Sequence, residues 1–415
     1  MKLREIFFGF ALAAALTGVY GQPKPAEPLK VAVIETLSGP GSGTNRLFAV
    51  GMTNAVVMAN ESGGWRGTPI HYLEYDTTGS TSVAAEKVRA AIGDGAHVIV
   101  QGGSSAIAGQ LIEDVRKHNV RNPKNPVIYM NVGAEASELT GEKCNFYSFK
   151  YAMNAEIRVK ALVSAMKSAG VLGDKVFSIN QNYSWGKDME AAIERNAAAG
   201  GYKVVDKVLH DVSKVQDFSP YVARIKSAGA TAVISGNWGS DLILLMKEIS
   251  LAGLKVQFGG PFLELPGTLS SAGPAALGAY HADFYIPEAG GAEAQALFER
   301  YRTKSGTFPT TSEVKSLFLM ENLRAGLAQV DSGPTVDVTK IALALEGAKV
   351  KTPVGEISMR RDDHQAMVPL VVSSVSKDAK FKVDGTDMGM KPIKVIPGPE
   401  AISPVQDSCK MQRPS

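Results

Sequence analysis

At 415 residues, with 45% hydrophobic and 20% charged side chains, the chain has material for more than one buried core and reads as an ordinary soluble protein. Its formal charge of +3 is spread without any Lys/Arg-rich block, so a nucleic-acid partner is not expected. Two cysteines, Cys144 and Cys409, have no histidine at ligand spacing, so they exclude a thiolate metal site.

The chain opens on MKLREIFFGFALAAALTGVYGQ. A short charged segment, an apolar run to about Leu16 and small residues near Gly21 form the pattern of a secretory signal peptide, with cleavage expected after Gly21. Residues 1–21 are therefore expected to be removed, and QPKPAEP within 22–29 to form a linker. Export places Cys144 and Cys409 in an oxidising compartment, where one disulfide and two free thiols both remain open.

From residue 30 the pattern is strand then helix, repeated. KVAVIE (30–35), IHYLEYD (70–76), HVIVQG (97–102) and PVIYMN (126–131) are apolar runs of strand length, separated by amphipathic stretches. KVFSIN (175–180), YKVVDKVL, TAVISG (231–236) and VQFGG (256–260) repeat that order. Alternating βα units predict an α/β fold of two doubly wound parallel-sheet lobes around a cleft. ALGAYHADFYI then reads as a crossing strand, followed by three helical stretches. The expected division gives residues 29–148 and 284–352 to the first lobe, 149–283 and 353–385 to the second, and 386–415 to a tail. Three hinge crossings would fall near 148, 284 and 353. Between late strands, RDDHQ (361–365) reads as a solvated turn or a docking surface.

VIVQGGSSAIAGQLIEDV (98–115) runs from a strand through two glycines and two serines into a helix. Beyond the carboxyl ends of parallel strands, Gly102 and Gly103 leave room for close approach, while Ser104 and Ser105 offer hydroxyls and free N–H groups to an anion. Alternatively the serines only cap their own helix. GGSSA also resembles a nucleophile elbow with Ala106 replacing the last glycine, but His97 and His118 belong to the opposite end of the lobe, leaving His364 as the remaining base to consider. No GKS or GKT occurs and GPGSG (39–43) lacks a third glycine, so a phosphate loop is not expected. No catalytic residue, metal or cofactor is assigned.

Trp185 in NQNYSWG and Trp238 in ISGNWGS both fall at strand-to-helix junctions of the second series. Flat rings at the carboxyl edge of a sheet wall an apolar ligand, so one lobe would hold the anion and the other the apolar body.

Together IETLSGPGSG, NVGAEASELTG, NQNYSWGKD, ISGNWGSDLILLMKEISLAGLKVQFGGP and GEISMRRDDHQ resemble the extracytoplasmic solute-binding proteins of the leucine/isoleucine/valine type. The resemblance covers nearly the whole chain after the leader. It implies two α/β lobes joined by three hinge strands, with a small hydrophobic amino acid or related carboxylate captured between them. It further implies a periplasmic monomer serving an ABC permease in the inner membrane, or the same fold acting as a ligand sensor. Carried onto this sequence, ligand contacts fall on Thr44, Ser104 or Ser105, Gly133, Glu135, Trp185 and Trp238. Two positions depart from the amino-acid pattern: Glu135 stands in place of a threonine, and Phe262 in place of the acid that receives the ligand ammonium. Either Glu264 or Glu135 replaces that acid, or the ligand carries no ammonium.

Overall fold

The computed structural model describes residues 26–212, 214–306, 309–330 and 333–414. The expected signal peptide and most of the linker lie outside the described residues. The first series comprises β1 (Lys30–Glu35), α1 (Ser42–Glu61), β2 (His71–Asp76), α2 (Thr81–Gly93), β3 (Val98–Gln101), α3 (Ser105–Arg121), β4 (Ile128–Asn131) and β5 (Ser148–Lys150). Its five strands lie in the order β2-β1-β3-β4-β5, all parallel.

The second series runs through α4 (Ala155–Ser168), β6 (Lys175–Gln181), α5 (Ser184–Arg195), α6 (Ala197–Gly200), β7 (Lys203–His210), α7 (Ser219–Ser227), β8 (Ala232–Ser235), α8 (Ser240–Leu251), β9 (Gln257–Gly260), α9 (Thr268–Ala272) and β10 (Tyr280–Asp283). Next come α10 (Gly291–Ser305), α11 (Thr311–Leu327), α12 (Val338–Leu345), β11 (Lys349–Thr352), β12 (Gly355–Met359), β13 (Ala366–Met367), β14 (Leu370–Ser376), β15 (Gly389–Ile396) and α13 (Gly398–Ala401). The second sheet is seven-stranded, β15-β14-β10-β9-β8-β6-β7. Its β7-to-β10 part is parallel, and β14 and β15 join antiparallel.

Strands with helices on both faces need apolar residues on both faces, and β1 shows this directly. Val31 and Val33 enter the core shared with Phe48 and Met52 of α1, whereas Ala32 and Ile34 enter the core formed with Ala84, Val88 and Leu111 of α2 and α3. α11 packs along α1, where the Ser316 hydroxyl donates to the Phe48 carbonyl over 3.0 Å. Thr310 and Glu313 start α11 with a reciprocal capping box.

Both sheets reverse strand order at one place, between β1 and β3 in the first and between β6 and β8 in the second. Crevices form beyond the carboxyl ends of strands at such points, and here the two crevices face each other. The chain passes between the large sheets at 151–154, at 284–286 and at 368–369. The last of these differs from the expected 353, because β11, β12 and β13 stay together as a small antiparallel sheet. That sheet abuts β5 through the Lys150–Gln365 bridge, in which Lys150 N–H donates to His364 O over 2.9 Å.

The expected tail contains β15 and then crosses a fourth time. Gln406 Nε2 donates to Ser137 O over 2.7 Å, and Cys144 and Cys409 form a disulfide with Cα atoms 5.5 Å apart. RDDHQ is a turn solvated only at Arg361 and Asp362: Asp363, His364 and Gln365 are buried, and the His364 ring stacks on Phe149 with centroids 4.2 Å apart. His364 Nε2 lies 2.8 Å from Glu346 Oε1, so this histidine is committed to structure. Among the described residues, no helix is long and apolar enough to cross a membrane.

Candidate ligand-binding site

Between the two sheet edges lies a cavity. Its first-lobe wall includes Thr44, Asn45 and Phe48 of α1, Ser105 at the start of α3, Gly133 and Glu135 after β4, and Lys315 of α11. Its second-lobe wall includes Tyr183 and Trp185 beyond β6, Trp238 beyond β8, and Phe262 and Glu264 beyond β9. Eight of the nine residues expected from sequence thus line this cavity; Ser104 is the exception. The lobes touch across the opening, where Ser137 N–H donates to Asp188 Oδ2 of α5 over 2.6 Å.

The glycine-serine turn is built differently from the expectation. The N–H groups of Gly102 and Gly103 donate to Glu35 Oε2 over 2.8 and 2.9 Å, so the two glycines expected to leave room for a ligand hold the protein's own carboxylate. Burial pushes Glu35 up to about 7, against the opposing pull of the Thr36, Gly102 and Gly103 N–H groups. Gly102 and Gly133 leave no empty space for a ligand, whereas Gly103 lines the cavity. A Cβ at Gly102 would lie 2.4 Å from the Phe48 ring, and one at Gly133 only 2.3 Å from it. These two glycines let a phenyl ring enter the floor of the site.

Ser105 remains available. Its hydroxyl oxygen accepts from Ala136 N–H over 3.2 Å, which leaves its proton to donate. Ser104 is the N-cap residue but makes no side-chain cap hydrogen bond, so its hydroxyl does not shield the first turn of α3 from an anion.

The aromatic wall is held by directed contacts. Trp185 is buried, donates from Nε1 to Gly236 O over 2.8 Å and meets Phe262 at a centroid distance of 5.7 Å. Trp238 Nε1 donates to the Tyr183 hydroxyl over 2.7 Å. The two indoles therefore present faces and edges to the cavity with their polar atoms satisfied.

Behind Phe262 stands a buried ionic cluster that sequence reasoning missed. Arg158 of α4 donates from Nε to Glu135 Oε2 over 2.6 Å and also binds Glu135 Oε1, while its Nη2 lies 3.3 Å from Asp283 Oδ1. Lys315 Nζ lies 3.0 Å from Asp283 Oδ1, and His281 Nε2 lies 2.6 Å from Glu264 Oε2. Burial alone would raise Asp283, but Arg158, Lys315 and His281 together hold it below the usual carboxylate range. Burial would likewise lower Arg158, and Asp283 and Glu135 overcome it and raise the guanidinium. Three carboxylates, Glu135, Asp283 and Glu264, thus stand among Arg158, Lys315 and the His281 imidazole beside the cavity. Donor atoms of Glu264, His281 and Asp283 lie within 4.8 Å of one another, but Arg158 and Lys315 already hold Asp283 and oppose a dication there.

Phe48, Asn45 and Lys315 lie inside helices, where sequence offers no glycine or turn signal to single them out. Arg158 pairs with Asp283 across 125 positions, a proximity only the hinge topology creates.

The model of the periplasmic binding protein family matches residues 28–380. The Leu/Ile/Val-binding protein homolog 4 of Brucella melitensis is 49% identical over the full length of both chains. The closed structure of a leucine-, isoleucine-, valine-, threonine- and alanine-binding protein from Brucella ovis is 50% identical, covering 94% of this chain and all of that one, with a TM-score of 0.89. A solute-binding protein of an R. palustris ABC transporter, solved with benzoate, shares the fold at 19% identity and a TM-score of 0.74, over 92% of this chain and 99% of that one. The chain belongs to the periplasmic binding protein family.

Proposed function

We propose that the chain is the extracytoplasmic substrate-binding component of an ABC importer, capturing a hydrophobic α-amino acid between its lobes. The observation that carries the ligand class is the presence of two carboxylates, Glu135 and Glu264, on the cavity lining beside an aromatic wall and opposite the first turn of α3. A zwitterion matches this polarity: the carboxylate toward Ser105 and α3, the ammonium toward Glu264, the side chain among Phe48, Trp185, Trp238 and Phe262. The Brucella relatives, named for binding leucine, isoleucine and valine, agree with it. Glu264 takes the place of the acid displaced by Phe262, and Glu135 acts through Arg158.

The role is capture without bond-making. Ser105 meets a backbone N–H, and the residues closest to the role of a base are engaged elsewhere, His281 with Glu264 and His364 with Glu346. The leader places the mature monomer in the periplasm, from which it delivers ligand to an inner-membrane permease. Ligand-stripped protein with Glu264→Gln tests the reading by calorimetric titration with leucine. Removing the charge should weaken leucine at least about tenfold, since a buried ammonium loses its acceptor. Unchanged affinity would remove Glu264 from the site.

A further inference from the structure

The last residues of the chain cross back to the first lobe as a strap, and one side chain on it holds the loop that carries Gly133 and Glu135. We propose that this residue, Gln406, is a positioning residue for ligand capture, fixing the 133–137 loop as it meets Ser105 on one side and the opposite lobe on the other. The proposal deepens the amino-acid reading of the cleft and rests on it for its ligand.

The loop is suspended from several elements. Asn131 Oδ1 of β4 accepts from Gly133 and Ala134 N–H over 3.1 and 2.8 Å, Lys150 Nζ of β5 donates to the Glu135 and Ala136 carbonyls over 3.3 and 3.0 Å, and Ala136 N–H meets Ser105 of α3. At Ser137 the contacts part: its N–H donates to Asp188 Oδ2 of the second lobe over 2.6 Å, while its carbonyl accepts from Gln406 Nε2 over 2.7 Å. The Ala136 carbonyl and the Ser137 N–H share one planar peptide unit. Lys150 and Gln406 therefore hold the carbonyls on either side of the Ser137 Cα, which leaves that N–H one direction in which to meet Asp188. A group already ordered loses less freedom when the lobes close on it.

The strap is seated for this task. Gly141, which ends the 137–140 turn, admits no side chain: an added Cβ would stand 2.7 Å from Gln406 Oε1 and 2.9 Å from Ser408 Oγ. Anchors stand on both sides of Gln406 along the chain. Ser403 accepts at its hydroxyl from Asn154 Nδ2 and at its carbonyl from Arg360 Nη1, over 2.7 Å each, and Cys409 is bonded to Cys144. Asn154 also caps α4, the helix that carries Arg158, so the strap ties the loop to the ionic cluster behind Phe262. With both flanks anchored, the Gln406 carboxamide is in place before a ligand arrives, and its ordering is a cost of folding rather than of binding.

The test compares the full chain with Gln406→Met, which keeps the side chain's length and removes its donor, and with Gln406→Lys, which restores a donor. Hydrogen-exchange mass spectrometry on ligand-free protein reads the loop, and stopped-flow tryptophan fluorescence with leucine reads capture. In Gln406→Met, exchange over 133–140 and leucine dissociation should each accelerate at least about fivefold, with association changed by less than about twofold and the melting transition preserved. Gln406→Lys should recover most of both. Combined with Asp188→Asn, Gln406→Met should accelerate dissociation by less than the product of the two single effects, because both act through Ser137. Unchanged exchange over 133–140 in Gln406→Met, dissociation equal to the parent's, no recovery in Gln406→Lys, or fully multiplicative effects with Asp188→Asn would each overturn the proposal. Because exchange is read without ligand, a parent protein that fails to bind leucine would count against the amino-acid reading alone.

Discussion

Arg158 and Glu135 join across the cleft by a two-point ion pair sealed from solvent, Nε to Oε2 over 2.6 Å, with one partner on α4 of the second lobe and the other beyond β4 of the first. Such a pair forms only when the lobes stand as they do here, so it belongs to the closed state. Arg158→Met should leave Glu135 and Asp283 as unpaired buried charges and destabilise the closed form by about 3–5 kcal/mol. Small-angle scattering with saturating ligand would show a larger radius of gyration than the parent. An unchanged radius and affinity would mean the pair does not bear on closure.

Trp238 supplies both ring surface and, through Tyr183, a fixed orientation. Trp238→Ala should weaken leucine binding by at least about 1 kcal/mol while unfolding stays cooperative. Calorimetry on the stripped variant checks this.

Gly133 makes room for Phe48, and a methyl group there would also meet the Gly102 carbonyl oxygen at 2.7 Å. Gly133→Ala should cost about 1–3 kcal/mol of stability through this overlap, and Gly133→Ala with Phe48→Leu should regain part of it. Urea unfolding of the two variants decides the matter.

Glu35 gives a pH dependence of known sign. Its folded value, about 7, lies above the ordinary 4.5, so between those values the native state binds the proton more tightly than the unfolded chain. Its contribution to stability is present below about pH 4.5 and is lost as the pH rises toward 7, by up to roughly 3 kcal/mol. Glu35→Gln should flatten the slope across that window relative to the parent. Parallel slopes would show that Glu35 titrates normally.

The Cys144–Cys409 bridge spans 265 positions and ties the fourth crossing to the first lobe. Loop closure of that length corresponds to at most about 5 kcal/mol, an upper limit given the other crossings. Reduction, or Cys144→Ser with Cys409→Ser, should lower the melting temperature without abolishing leucine binding, as followed by calorimetric scans.

Much of this site was legible in the sequence, because strand-to-helix junctions carry visible markers. Apolar runs ending in glycine, serine or tryptophan drew attention to Ser105, Trp185 and Trp238, whereas Gly133 entered only through the family resemblance. What the markers cannot carry is the identity of a neighbour. GG before SS looks open to close approach, yet Glu35 takes the N–H groups of both glycines and the Phe48 ring packs on Gly102, from elements up to 68 residues away in the chain. Arg158 and Lys315 are ordinary helix residues until two hinge passages bring Asp283 between them. The third passage was misplaced because a short hairpin at 349–367 has the same alternation as strands of the main sheet. RDDHQ looked solvated by composition, but His364, at φ 52°, turns its ring inward onto Phe149.

The central claim is that the cleft reads an ammonium through its acid cluster. The most direct measurement is a calorimetric comparison of leucine with 4-methylpentanoate, the same molecule without its amine, on refolded, ligand-stripped protein. The account predicts that leucine binds and that 4-methylpentanoate binds at least about thirtyfold more weakly, since Glu264 then loses the ammonium as a partner. Equal or tighter binding of the amine-free acid would contradict it and assign the cleft to hydrophobic carboxylates.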